Sequence, residues 1–89
     1  MAYKIRFTNK RSSHARTISK HTYGVVRSDL SGRNALFVGK GTPSDPYDKS
    51  EATVFEVYAD AVGALASWFA REDRAASSLW VKNPRIVET

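Results

Sequence analysis

The sequence predicts an α+β domain: an antiparallel sheet of four to five strands with one α-helix packed on one face, in the order β-β-β-β-α-β. Three observations point there. The chain has 89 residues, 42% hydrophobic and 26% charged, a globular composition of single-domain size (residues 1–89). Short stretches rich in β-branched and aromatic residues recur along it. One stretch, after Asp60, has helical spacing instead.

The first strand rests on Tyr3, Ile5 and Phe7 alternating with Lys4, Arg6 and Thr8, which gives an apolar face and a doubly cationic one. Asn9 to Ser13 has turn residues and no apolar anchor, and reads as an exposed basic loop. Strand character returns from Arg16 to Ser28, a run long for one strand, with Gly24 marking a bulge or bend. Turn formers from Ser28 to Asn34 then lead to the apolar run Ala35 to Val38, which makes a hairpin. Residues 40–52 contain Pro43, Pro46 and Gly41 and read as a flexible acidic surface loop in which Tyr47 is a candidate partner anchor.

Thr53 to Tyr58 is the next expected strand. Asp60 is placed as the N-cap of a helix from about Ala61 to Arg74. Val62, Leu65, Ala66 and Phe69 follow the i, i+3, i+4, i+7 spacing of a buried stripe, with Trp68 at its border. Leu79 to Val81 reads as a strand, Asn83-Pro84 as a break, and Arg85 to Val87 as an edge strand or tail. Several strands are apolar on both sides, and one helix covers only one sheet face. The second face therefore needs cover from the chain itself or from another molecule.

The net charge of +5 is unevenly spread. Residues 1–27 hold Lys4, Arg6, Lys10, Arg11, Arg16, Lys20 and Arg27 and no acid; residues 28–89 hold seven Lys/Arg against nine Asp/Glu. A block of +7 thus precedes a body of −2. Such a block suits a polyanion, because cations that neutralise phosphates release condensed counterions. Tyr3, Phe7 and Tyr23 are interleaved with these cations. Aromatic faces stack on unpaired bases, but Tyr3 and Phe7 share the apolar face with Ile5 and read as core.

Catalytic chemistry has no signature here. There is no cysteine, and the two histidines, His14 and His21, have no neighbouring acid. Asp45, Asp48, Glu51 and Glu56 lack the spacing of a calcium loop. Gly39-Lys40-Gly41-Thr42 has a glycine where a phosphate loop needs a hydroxyl residue, and no helix follows. No catalytic residue, cofactor or metal ligand is expected. No apolar run is long enough to span a membrane, no secretory stretch opens the chain, and the lack of cysteine suits a cytoplasmic setting.

The leading expectation is a small, basic, non-enzymatic module that contacts nucleic-acid phosphates, DNA included, through the cationic first third. The alternative is a protein-binding adaptor or inhibitor, of the kind phages and mobile elements encode, docking on an acidic surface of a host protein or nucleoprotein complex. Tyr47, Tyr58 and Trp80 would then be its anchors. A homodimer through the open sheet face or an edge strand is compatible with both, and a small enzyme is the third and weakest reading.

Overall fold

The computed structural model describes residues 1–10, 20–39, 46–70 and 81–89. The elements are β1 (Tyr3–Asn9), β2 (His21–Tyr23), β3 (Val25–Ser28), β4 (Asn34–Phe37), α1 (Tyr58–Ala70) and β5 (Val81–Glu88). The protein is α+β, with antiparallel pairing throughout and one helix among the described residues. The five strands form two sheets, one in the order β2-β1-β5 and one made of β3 and β4.

Gly24 is the reason for two sheets. Between β2 and β3 the chain leaves β1, the Gly24 N–H donating to the Ile5 carbonyl at 2.8 Å. A Cβ at this position would lie 2.8 Å from Leu36 Cδ1 and 3.3 Å from Ile5 Cβ. Glycine lets the backbone turn that close to the core, whereas any side chain here would have to displace Leu36. The bend expected at Gly24 is thus present, and the long strand expected around it is two strands. Arg16 to Ile18 lie outside the described residues.

The β3–β4 hairpin also forms as expected, with Val25 opposite Phe37 and Ser28 opposite Asn34. Its turn is held by Asp29, whose Oδ1 accepts from the N–H groups of Ser31 and Arg33 at 2.8 and 3.0 Å. Gly32 takes the left-handed φ of 82° that closes it.

The strand expected at Thr53 to Tyr58 does not form. Phe55 makes a single bridge to Tyr3, with reciprocal N–H···O bonds of 2.7 and 2.8 Å. The cause is lack of edge. β5 runs along one side of β1 from Tyr3 to Asn9, and β2 with Gly24 takes the other from Thr8 back to Ile5. Only the Tyr3 end is open, so Val54 and Val57 stay about half exposed. The element order still reads β-β-β-β-α-β because one expected strand became two and another was lost.

β5 runs through the expected break at Asn83-Pro84. Arg6 pairs with Arg85 and Thr8 with Lys82, so one β1 residue faces two on β5. This is a β-bulge, with Asn83 at φ 53°, a left-handed conformation that asparagine tolerates better than most residues. Proline, which has no N–H to donate, sits beside it.

The helix begins at Tyr58, so Asp60 lies inside the first turn rather than capping it, and its N–H bonds the Val57 carbonyl at 3.1 Å. The buried stripe keeps the expected spacing but shifts by one residue: Ala61 and Trp68 are buried, with Ala64 and Leu65 partly so. Val62 and Phe69 are 44% and 47% exposed. Trp68, the largest apolar side chain of the helix, sets the phase by packing its ring 5.0 Å from that of Phe7. The expected end of the helix at Arg74, like Leu79, lies outside the described residues.

Ile5 and Phe7 from β1, Leu36 and Val38 around β4, Ala61 and Trp68 from α1, and Val81 from β5 form one buried cluster. It joins both sheets to the helix. Burying each large apolar side chain contributes roughly 1.5–3 kcal/mol.

Candidate functional site

Strand alternation divides the β2-β1-β5 sheet into two faces. Ile5, Phe7 and Asn9 of β1 are buried, together with Thr22 of β2 and Val81 of β5. The opposite face carries Lys4, Arg6 and Thr8 of β1. Register adds the residues across from them: Tyr23 and Arg85 flank Arg6, His21 and Lys82 flank Thr8, and Val87 faces Lys4. Four of these eight positions are Lys or Arg, and none is Asp or Glu.

Two arginines directly opposite each other on neighbouring strands have Cβ atoms about 5 Å apart, and like charges so placed are destabilising. Arg6 and Arg85 are such a pair. His21 feels the same field. Its pKa is lowered from 6.5, first by partial burial and then by the charges of Arg6 and Lys20. Lys20 is exposed just before β2, and its carbonyl accepts the Asn9 N–H at 2.8 Å.

Of the expected cations, the structure brings Lys4, Arg6 and Lys20 to or beside this face. The Lys4 ammonium donates to the Lys49 carbonyl at 2.9 Å, so the Asp48–Glu51 turn borders that end. Lys10 is exposed just past β1. Arg27 belongs to the other sheet, where its guanidinium carbon lies 4.0 Å above the Phe37 ring centre. Arg11 and Arg16 lie outside the described residues.

Lys82 and Arg85 were not among the expected site residues. Three apart, they would face opposite ways in a regular strand; the bulge at Asn83-Pro84 turns both outward. Pairing β1 with the C-terminal strand then adds their charge to that of the first third. The one local hint was Asn83-Pro84 itself, read as a break.

The anchor positions separate. Tyr47 is buried rather than presented: its N–H donates to Thr22 Oγ1 at 3.2 Å and its carbonyl accepts the Tyr23 N–H at 3.1 Å. Thr22 Oγ1 in turn donates to the Val38 carbonyl at 2.9 Å. Beyond Tyr47, Asp48 and Glu51 exchange backbone-to-carboxylate hydrogen bonds of 3.1 and 3.3 Å in a capping-box pattern. The described part of the expected flexible loop is therefore tied down, while 40–45 fall outside the described residues. Tyr58 is 53% exposed and meets Tyr3 edge-on at 5.3 Å. Trp80 lies outside the described residues.

Among the described residues, no three His, Asp or Glu side chains converge as metal ligands would. None of their helices is long and apolar enough to cross a membrane. No protein-family model, curated protein or solved structure matches the chain.

Proposed function

We propose that the protein is a non-enzymatic nucleic-acid-binding module of the cytoplasm whose outward β2-β1-β5 face contacts phosphates. The observation that carries the reading is Arg6 opposite Arg85 on a face whose strand positions include no carboxylate. Such a pair opposes folding and gains its purpose when an anion lies between the two guanidiniums. An edge strand also uses Lys and Pro to discourage pairing with other chains. Pro84 and the bulge already serve that end on β5, and neither requires an arginine across from Arg6. Lys4, Lys20 and Lys82 extend the positive surface, which positions a phosphate backbone without reading sequence.

A second reading has its own observation. Tyr58, Val62 and Phe69 are each about half exposed along one flank of α1. A flank of this kind suits a protein partner, as the adaptor or inhibitor reading requires, and a second copy of the chain would serve equally.

Elution from heparin and from immobilised DNA across a salt series separates the two, with the mass in solution measured alongside. Phosphate binding gives retention that collapses with salt. Charge reversal at Arg6 and Arg85 together should abolish that retention while the fold persists. Retention unchanged by the double reversal rejects this face as the site. A salt-insensitive dimer that ignores DNA favours the helix flank.

A further inference from the structure

The outward sheet face is ordered as well as charged. Its rings stand on one strand and its exposed cations on another. His21 and Tyr23 are the two outward positions of β2, while Lys82 and Arg85 are outward and exposed on β5. Register sets them in two rows: Tyr23, Arg6, Arg85 and His21, Thr8, Lys82. Each row begins at a ring and ends at a cation. Neighbouring strands are about 4.8 Å apart, so ring column and cation column lie about 10 Å apart. Along β2 the two rings are about 7 Å apart, roughly twice the 3.4 Å step of stacked bases.

A nucleotide has the same polarity, with a flat base at one end and a charged phosphate at the other. In a duplex the base faces are stacked on one another and cannot reach His21 or Tyr23. The duplex surface would engage the cations and leave the ring column idle. A single strand lying along β2 could place separate bases on the rings while its phosphates reach Arg6, Lys82 and Arg85.

We infer that the ligand of this face is single-stranded nucleic acid, with bases stacking on Tyr23 and His21 and the backbone following Arg6, Arg85 and Lys82. The inference rests on the phosphate-binding reading above and specifies its ligand. The bulge at Asn83-Pro84 is part of the device, because without it Lys82 and Arg85 could not both stand in the cation column.

The test is titration of the full chain with oligothymidylate and oligouridylate of about 16 nucleotides, a length that spans a typical single-strand site. A mixed-sequence duplex of equal length is titrated at the same salt. Either single strand should bind at least tenfold more tightly than the duplex. Tyr23→Leu should weaken single-strand binding about 5- to 160-fold, the range of one lost stacking contact, and leave the duplex unchanged. Tyr23→Phe keeps the ring and should bind within about twofold of the parent. It also guards against a Leu variant that fails to fold, since loss of the parent's preference in Tyr23→Phe would overturn the stacking role by itself. Equal affinity for duplex and single strand, or a folded Tyr23→Leu that binds single strands unchanged, overturns the inference and leaves the phosphate-binding reading intact. No salt-dependent binding to any of the three overturns both.

Discussion

The two faces of the β2-β1-β5 sheet use the same backbone for opposite ends. On the inner face Ile5 and Phe7 are wholly buried, and Thr22 finds both a donor and an acceptor partner. Every one of those contacts stabilises the fold. On the outer face Arg6 stands across from Arg85, and His21 is held below its ordinary pKa. The arginine pair opposes folding, and the His21 site does so once the imidazole is protonated. The inner face supplies the packing that outweighs this cost, so the outer face can carry unpaired charge. Substitutions should therefore divide cleanly: inner ones move stability, and outer ones move binding.

The largest expected effect is on the inner side. Phe7→Ala removes the ring that seats Trp68 and should cost about 3–5 kcal/mol, enough to unfold much of so small a domain. Urea denaturation reads this directly. Trp68→Ala should cost a similar amount, whereas Phe69→Ala, next along the helix but half exposed, should cost well under half of it. Equal losses at Trp68 and Phe69 would contradict the helix phase described above. Thr22→Val keeps the shape of the side chain but removes the hydroxyl that bridges Val38 and Tyr47. About 1–3 kcal/mol should be lost.

The outer side should behave in the reverse sense. Arg6→Glu creates an opposite-charge pair with Arg85 and should raise stability by a few tenths of a kcal/mol, up to about 1. The same change should weaken oligonucleotide binding at least tenfold, the scale of one charged hydrogen bond. A variant that gained stability and kept its affinity would show that the repulsion has no counterpart in binding. Arg27 is the internal control. Its guanidinium already rests on Phe37, so Arg27→Leu should cost about 0.5–1 kcal/mol and leave affinity within about twofold.

Much of the inner face could be read in the sequence. Tyr3, Ile5 and Phe7 alternate over enough residues to define a strand, and Gly24 and the Asp29–Gly32 turn mark where the chain must bend. Helix phase could not be read that way. Val62, Leu65 and Phe69 satisfy the same spacing as Ala61, Ala64 and Trp68, and only the partner ring of Phe7 chooses between them. Thr53 to Tyr58 has strand composition, but whether a strand forms depends on a free edge, which belongs to the assembled sheet. The outer face was half legible for a related reason. Lys4, Arg6 and Lys20 stand out in a basic block, whereas Lys82 and Arg85 join them only through a long-range pairing and a bulge.

The smallest expected effect is a pH dependence that ties the two faces together. The pKa of His21 is shifted downward from 6.5, through partial burial and the charges of Arg6 and Lys20; Lys82 stands in the same row beyond Thr8. The folded chain therefore binds the His21 proton less readily than the unfolded chain. Its contribution to stability is complete above about pH 6.5 and is lost as the pH falls through the lowered folded value. A phosphate bound among Arg6, Lys82 and Lys20 reverses the field at the ring and favours the imidazolium. Binding should then take up a proton, and affinity should rise modestly as the pH falls from about 7.5 to about 5.5. His21→Asn should flatten that rise and also the acid-side fall in stability. Arg6→Glu should move the His21 pKa upward, which titration of its ring protons by NMR would measure. If affinity fell over this interval in the parent chain and His21→Asn left the fall in place, phosphates would not be reaching His21, and the outer face would lose its β2 column.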